Sequence, residues 1–373
     1  PPEPQPDKYK GWDATGAFLL AYAQPLRGTH LTGKQPSLAA KVDASGATGL
    51  IEDGRGWNQR EKHAAYAQRS EEQLFAGLGS WSPVVRERSA LSLAGRKGDP
   101  MPRLLKLLES ADPPARLGAC QAMAALGKRA APGVPALRKT LHADDLWLRI
   151  QAADALAAIG DAAMVALPEL LTLLAAENPA TDPRGMQQRY LTFALFDRRD
   201  GLLKRSLDGV DREALYKAVR AGLHNDDGRA RSTIGSIYAE LSTEDIVPLL
   251  PAIHQAVVHP APSGEMFADG VRLSGLDVLA KHRIAEGMPL CLEVMEIDRW
   301  GKANRITGCL KAFQGYGGAA KPLLPRLAQL ETDLRAHPEA KSLQPHIKLL
   351  HETVLRIQAD KNPPALRSLS STR

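Results

Sequence analysis

Along most of the chain, apolar residues recur every three or four positions in short blocks, and glycine or proline closes many of them. The stretch "DDLWLRIQAADALAAIG", starting at Asp144, shows the pattern most fully. Leu148, Ala152, Leu156 and Ile159 share one helical face. Asp145 stands where an N-cap accepts the free amides of the first turn, and Gly160 stands where a left-handed residue ends a helix. "VALPELLTLL" follows, with Pro168 in a first turn, where its missing N–H costs nothing. The block therefore predicts two helices. A lone helix pair cannot bury its apolar stripe, so such pairs must stack.

The block is repeated. "ADPPARLGACQAMAALG" from Ala111 and "NDDGRARSTIGSIYAEL" from Asn225 align with it without gaps. Each copy has an acidic residue four before an arginine: Asp112 and Arg116, Asp145 and Arg149, Asp227 and Arg231. In the first two, glycine follows the arginine by eleven residues (Gly127, Gly160) and proline by nineteen (Pro135, Pro168). Looser copies centre on Arg86, Arg189, Arg272 and Arg305, so the seven arginines are 30, 33, 40, 42, 41 and 33 residues apart.

With the D-x-x-x-R helix, the "AALG" or "AAIG" ending and the P-x-L-x-x-L helix after it, residues 72 to 335 resemble HEAT repeats. The copies around Arg189, Arg231 and Arg272 depart from the pattern by lacking the glycine ending. The resemblance implies an all-α, right-handed α-solenoid of about seven helix pairs, with the arginine helices on its concave face. It also implies binding more often than catalysis. The segments "GWDATGAFLLAYAQPLRGTHLTGK" and "GRGWNQREKHAAYAQRSEEQLFAGLGSWSPVVRERSA" resemble an uncharacterised bacterial family with PDZ-like and α/α-toroid regions upstream of its HEAT array. The expected organisation is a helical N-terminal cap over 1–60, the tail of a preceding domain, then the solenoid over 61–360. A helix near 343–358 closes it, and a basic tail over 361–373 is expected to be disordered. The opening "PPEPQPDKYK" reads as the start of an excised piece.

Composition agrees with helix: alanine and leucine dominate, and aromatics are 5% of residues. No run of eighteen apolar residues occurs that would span a bilayer. The net charge of +6 is uneven: residues 184–231 carry +4 and residues 361–373 carry +3. That excess is weak for a nucleic-acid footprint, so nucleic acid is an unlikely partner on charge alone.

"GTHLTGKQ", Gly28 to Gln35, has the spacing of a phosphate loop. Gln35 replaces the Ser/Thr that would hold magnesium, and Pro36 opposes a helix start. It predicts a turn, and no nucleotide or other cofactor is expected. Cys120, Cys291 and Cys309 have no metal-ligand spacing; two of them lie four after a repeat arginine, in a small buried slot. The pairs His254/His259 and His346/His351 are five apart, which puts each pair on different sides of a helix, so no metal site is expected. Glu52 and Asp53, near Arg55, Trp57 and His63, fit a capped turn better than an acid–base site.

Two surfaces remain. The ladder Arg86, Arg116, Arg149, Arg189, Arg231, Arg272 and Arg305 is expected to be structural, each arginine tied to an aspartate across the stack. Beside it runs an exposed stripe. On the helix from Leu146 it comprises Trp147, Gln151 and Asp154; equivalents elsewhere are Arg88, Gln121, Gln187, Arg229, Glu240, Asp277 and Lys281. Its mixed charge and single large aromatic suit a protein or peptide, another domain of the same parent chain included. The rival reading comes from HEAT-like DNA glycosylases, for which Trp147 and Asp154 alone could sketch a site. Three longer connections, 177–185, 198–209 and 259–266, are further candidates. The first and third should stand on one rim to grip a partner, and Arg198, Arg199, Lys204 and Arg205 on the opposite edge would meet an acidic surface. Residues 179–184 should then be removable without loss of stability.

Overall fold

The computed structural model describes residues 64–177, 182–197, 201–204, 207–263 and 265–372. The glycine–lysine loop at 28–35, the group Glu52, Asp53, Arg55, Trp57 and His63, and Arg198, Arg199 and Arg205 lie outside the described residues, as does the Lys204 side chain. The chain divides into two compact units, Pro1–Ala166 and Leu167–Arg373. Each described unit is an α-solenoid, and among the described residues there is no strand, only two isolated bridges. No helix among them is long and apolar enough to cross a membrane.

In the first unit three helix pairs follow one another: α1 (Glu71–Leu78) with α2 (Pro83–Ala94), α3 (Met101–Leu108) with α4 (Pro113–Leu126), and α5 (Val134–Thr140) with α6 (Leu146–Ile159). The arginine helices α2, α4 and α6 form one layer. Their starts are written in the sequence. Ser82, Asp112 and Asp145 each accept a first-turn amide (of Val85, Ala115 and Leu148). Their ends follow from Gly127 and Gly160, at φ +56° and +82°, conformations that a side chain resists. Between them the small residues Ala119, Ala122, Ala152, Ala153 and Ala155 are buried, which lets α4 and α6 approach closely. Gly118 is required on packing grounds, because a Cβ there would lie 2.1 Å from the carbonyl oxygen of Leu78.

The second unit holds α7 (Leu167–Ala175) with α8 (Met186–Phe196), α9 (Arg212–His224) with α10 (Gly228–Gly235), and the short α11 (Thr243–Ile246) leading into α12 (Leu250–Val258). The helix α12 pairs with α13 (Ala268–Lys281), α14 (Gly287–Glu293) with α15 (Lys302–Tyr316), and α16 (Leu324–Ala336) with α17 (Ala340–Ala359). Its layer of arginine helices is α8, α10, α13 and α15, and α17 packs against α15 at the end of that layer. The copies around Arg189, Arg231 and Arg272 lack the glycine ending, and the boundaries shift accordingly, whereas α15 keeps it in Gly317 at φ +54°. The helix α10 stops at Gly235, and turns carry the chain on to Ser242. At the close of α13, Arg283 occupies the place of Gly127 and Gly160, eleven after the repeat arginine, and shares their positive φ, at +58°.

The last residues are not a loose tail. Asp360 accepts the amide of Gly318 at 2.6 Å, and Arg367 forms a bridge with Ile284. This segment is held by its backbone, which composition does not report.

Candidate functional site

The arginine ladder has two kinds of member. Arg86 donates to the carbonyl oxygens of Ser80 and Trp81 at 2.7 and 2.9 Å, and Arg149 to those of Ala143 and Asp144 at 2.7 and 2.8 Å. Each guanidinium thus turns back on the connection preceding its own helix, where carbonyls have no helical partner. Arg231 does the same to Asn225 and His224 and also reaches the carbonyl of His259 at 2.7 Å. In the second unit carboxylates are partners as well. Arg189 meets Asp227 of the next repeat at 3.1 Å, Arg272 meets Glu296 at 2.7 Å, and Arg305 meets Asp269 at 2.7 Å. The expected aspartate ladder is therefore corrected in the regular repeats. There the aspartates are occupied as N-caps, and backbone carbonyls take the arginine instead. Arg116 is half-buried and makes no such bond among the described residues.

On α6, Trp147 stands at the first turn with 41% of its surface exposed, and Gln151 and Asp154 follow along the same face, both half-buried. Gln151 donates to the Asp154 carboxylate at 3.4 Å, a long contact. Burial pushes the Asp154 carboxyl up to about 6. Gln121, at the place on α4 equivalent to Asp154 on α6, is half-buried, and its side-chain oxygen has no hydrogen-bond partner among the described residues. Arg88 is drawn toward the N-terminal side: its guanidinium donates to the carbonyl of Ala64 at 2.9 Å and lies 5.3 Å from the Tyr66 ring.

In the second unit Arg229 is exposed and lies between two rings, 5.1 Å from Phe193 and 5.9 Å from Phe267. Tyr190 stands edge-on to Phe193 at 5.8 Å. Asp277 and Lys281 are exposed on α13, and Glu240 is exposed on the turn beyond α10. Gln187 is a correction: it is 4% exposed. Asp182, in the longer connection, caps α8 by accepting the amides of Met186 and Gln187 at 2.8 and 2.7 Å. That start turns the Gln187 amide inward, where it donates to the carbonyl of Leu173 at 3.2 Å.

Sequence reasoning missed the most exposed tryptophan among the described residues. Trp300, 83% exposed, precedes α15 on a turn whose backbone is gripped from beneath. The fully buried Arg305 donates to the carbonyls of Met295, Glu296, Arg299 and Trp300 as well as to Asp269. Arg299 pairs with Asp269 and Glu296. Glu296 itself has φ +39°. A rigid, locally strained turn presenting a tryptophan marks a place where function can reside. Trp300 stands five before Arg305, as Trp81 does before Arg86, but it lies on a turn before the helix, where the apolar stripe does not report exposure.

The two longer connections expected to stand on one rim are both fastened to the turn between α9 and α10. Asn225 donates to the carbonyl of Gly185 at 3.2 Å and to Gln188 at 3.0 Å. Ser263 bridges Asp227, and its hydroxyl donates to the carbonyl of Asp226 at 2.7 Å. A cleft of about 220 Å³ lies between the 182–185 connection and the 224–226 turn. Because Asp182 is a buried cap, removing residues 179–184 would destabilise α8, against the expectation of a dispensable loop.

The family model for HEAT repeats matches residues 101–182, the span that runs from α3 to the start of the 177–185 connection. No curated protein matches the chain, and no solved structure matches it.

Proposed function

Since this chain carries HEAT repeats, commonly protein-interaction scaffolds, we propose that it is a non-enzymatic module that holds a protein segment along the outward faces of its arginine helices. The observation that carries this reading is Trp147, 41% exposed at the head of α6, with Gln151 and Asp154 one and two turns further along the same face. A tryptophan bordered by polar groups is the usual composition of an interface anchor. In the second unit the Arg229 guanidinium between Phe193 and Phe267, and the presented Trp300, supply further anchors of the same chemistry. Arg229 offers a charge to a carboxylate on the partner segment.

One observation favours a second reading. A carboxyl held at about 6, two turns from an exposed tryptophan, is also what a general acid or base requires, and a DNA glycosylase would use such a pair. The neighbouring Gln151 and the half-buried Gln121 supply no positive charge for phosphates.

Affinity capture with the full chain and with Trp147→Ala separates the readings from mere adhesion. The scaffold reading expects a protein retained by the unaltered chain and lost with Trp147→Ala. A salt-dependent complex with duplex DNA at submicromolar protein, abolished by Asp154→Asn, would favour the glycosylase reading instead.

A further inference from the structure

The segment from Asp360 to Leu369 runs back over the second unit and ends on the corner between α13 and α14, residues 282–286. The contacts there have a definite register. The Arg367 amide donates to the carbonyl of Arg283 at 2.9 Å, and the Ala285 amide donates to the carbonyl of Arg367 at 2.9 Å. One residue of the segment is therefore clasped from both sides by main-chain bonds, as in strand addition. Side chains then read its neighbours. The Glu286 carboxylate accepts the Ser368 hydroxyl at 2.6 Å and the Leu369 amide at 3.1 Å. The Arg367 guanidinium donates to the carbonyl of His282 at 3.2 Å. Pro364, Leu366 and Leu369 are half-buried, whereas Ala365, Arg367 and Ser368 are exposed.

The corner itself departs from the rest of the array. Arg283, a residue with a side chain, takes a positive φ of +58° where the two regular repeat ends have glycine. Its carbonyl is the one that Arg367 uses. The carbonyls of Ile284 and Ala285 are taken within the repeat, by the Tyr316 hydroxyl at 2.8 Å and the Met288 amide at 3.1 Å, while those of His282 and Arg283 accept from the segment. Strain, main-chain pairing and a carboxylate that reads a hydroxyl coincide at one place.

We propose that the 282–286 corner is a recognition site for an extended Leu-Arg-Ser-Leu-type segment, and that residues 364–369 are its resident and displaceable occupant in the same chain. The ligand class follows from the groups. Glu286 accepts hydrogen bonds, so it selects a hydroxyl and an amide and rejects a carboxylate in the Ser368 place. The free carbonyl of His282 selects an arginine or lysine just before it. The occupant is displaceable because it is held by a few bonds and three half-buried side chains, a local stability far below that of the helix core. A partner segment of the same pattern would compete with it, and the chain's own copy sets the threshold for that competition. This site is independent of the helix faces around Trp147.

The test uses a fluorescent peptide of residues 363–372 and full-length protein. In the variant Arg367→Pro the resident segment loses both its amide donor and its guanidinium, while the helix core is untouched. The peptide should bind this variant about tenfold more tightly than the unaltered chain, because the site is no longer occupied from within. Adding Glu286→Ala should erase that gain, and a peptide with Glu in place of Ser368 should show none. In the unaltered chain, the amides of Ala285, Arg367 and Leu369 should exchange with solvent at least a hundredfold faster than that of Leu279. Equal peptide affinity for the unaltered and Arg367→Pro chains would overturn the proposal. So would a gain that survives Glu286→Ala, or exchange at those amides as slow as at Leu279.

Discussion

Arg149 and Arg305 occupy equivalent places in their repeats, and both take the carbonyls five and six residues back, yet Arg305 holds three further groups. Arg149 turns back on the two carbonyls that precede its own helix, and it is half-buried. Arg305 is fully buried and gathers the carbonyls of four residues together with the Asp269 carboxylate of the preceding repeat. The difference follows from the connections. In the regular repeats the connection before the arginine helix is short, so only a local pair of carbonyls needs a donor. Where the connection wanders, as over 294–301, the arginine becomes the post around which the turn is wound. Arg231 is intermediate, joining its own turn to the carbonyl of His259. One residue type at one register position thus stabilises a short turn or organises a long one, depending on what the intervening sequence leaves unsatisfied.

Substitutions can break that comparison. Arg305→Leu should have the largest effect, a loss of about 3–5 kcal/mol, because it leaves four carbonyls without their donor around a buried void and removes one of the two partners of Asp269. Arg231→Ala should lose about 2 kcal/mol, and Arg149→Ala about 1 kcal/mol, since solvent can replace its bonds. Chemical denaturation of the three proteins measures the order, and equal losses for Arg149 and Arg305 would remove the distinction.

Asp154 sharpens the picture of the face beside the ladder. Its carboxyl is raised from 3.8 to about 6 by burial, so the folded chain holds a proton that the unfolded chain releases between those values. Its contribution to stability therefore falls as pH rises from about 4 to about 6 and stays low above. Asp154→Asn should gain up to about 2 kcal/mol at pH 7.5, after allowance for partial exposure, and almost nothing at pH 4. Melting curves of both proteins across that range give the difference directly. A difference independent of pH would place the carboxyl in solvent.

Arg283→Gly should stabilise the second unit by about 0.5–1 kcal/mol by relieving the left-handed strain. Glycine's freedom in the unfolded chain opposes part of that gain. Trp147→Ala should change stability least, within about 0.5 kcal/mol, since it stands at the head of α6 with 41% of its surface exposed. Any effect of that substitution should appear in binding.

The repeat register made much of this legible. The aspartates at 112, 145 and 227 cap the helices that the sequence assigned them, and Cys120 and Cys309 lie wholly buried in the slots expected of them. The arginines' partners were not legible, because backbone carbonyls leave no mark in the sequence. The insertion before α8 altered where that helix starts, and Gln187 left the exposed face in consequence. Trp300 and the 360–369 segment were missed for a related reason. Each lies on a segment outside the helices, where neither period nor composition reports which side faces solvent.

The central functional claim is that the faces beside the ladder bind protein. Site-specific photo-cross-linking in the cells that make this protein tests it most directly. The cross-linking residue is placed in turn at Gln151, at Arg229 and, as a control away from these faces, at Lys139. The scaffold reading expects the same protein adducts from positions 151 and 229 and none of them from 139. Adducts to nucleic acid from position 151, or an identical pattern from all three positions, would contradict it.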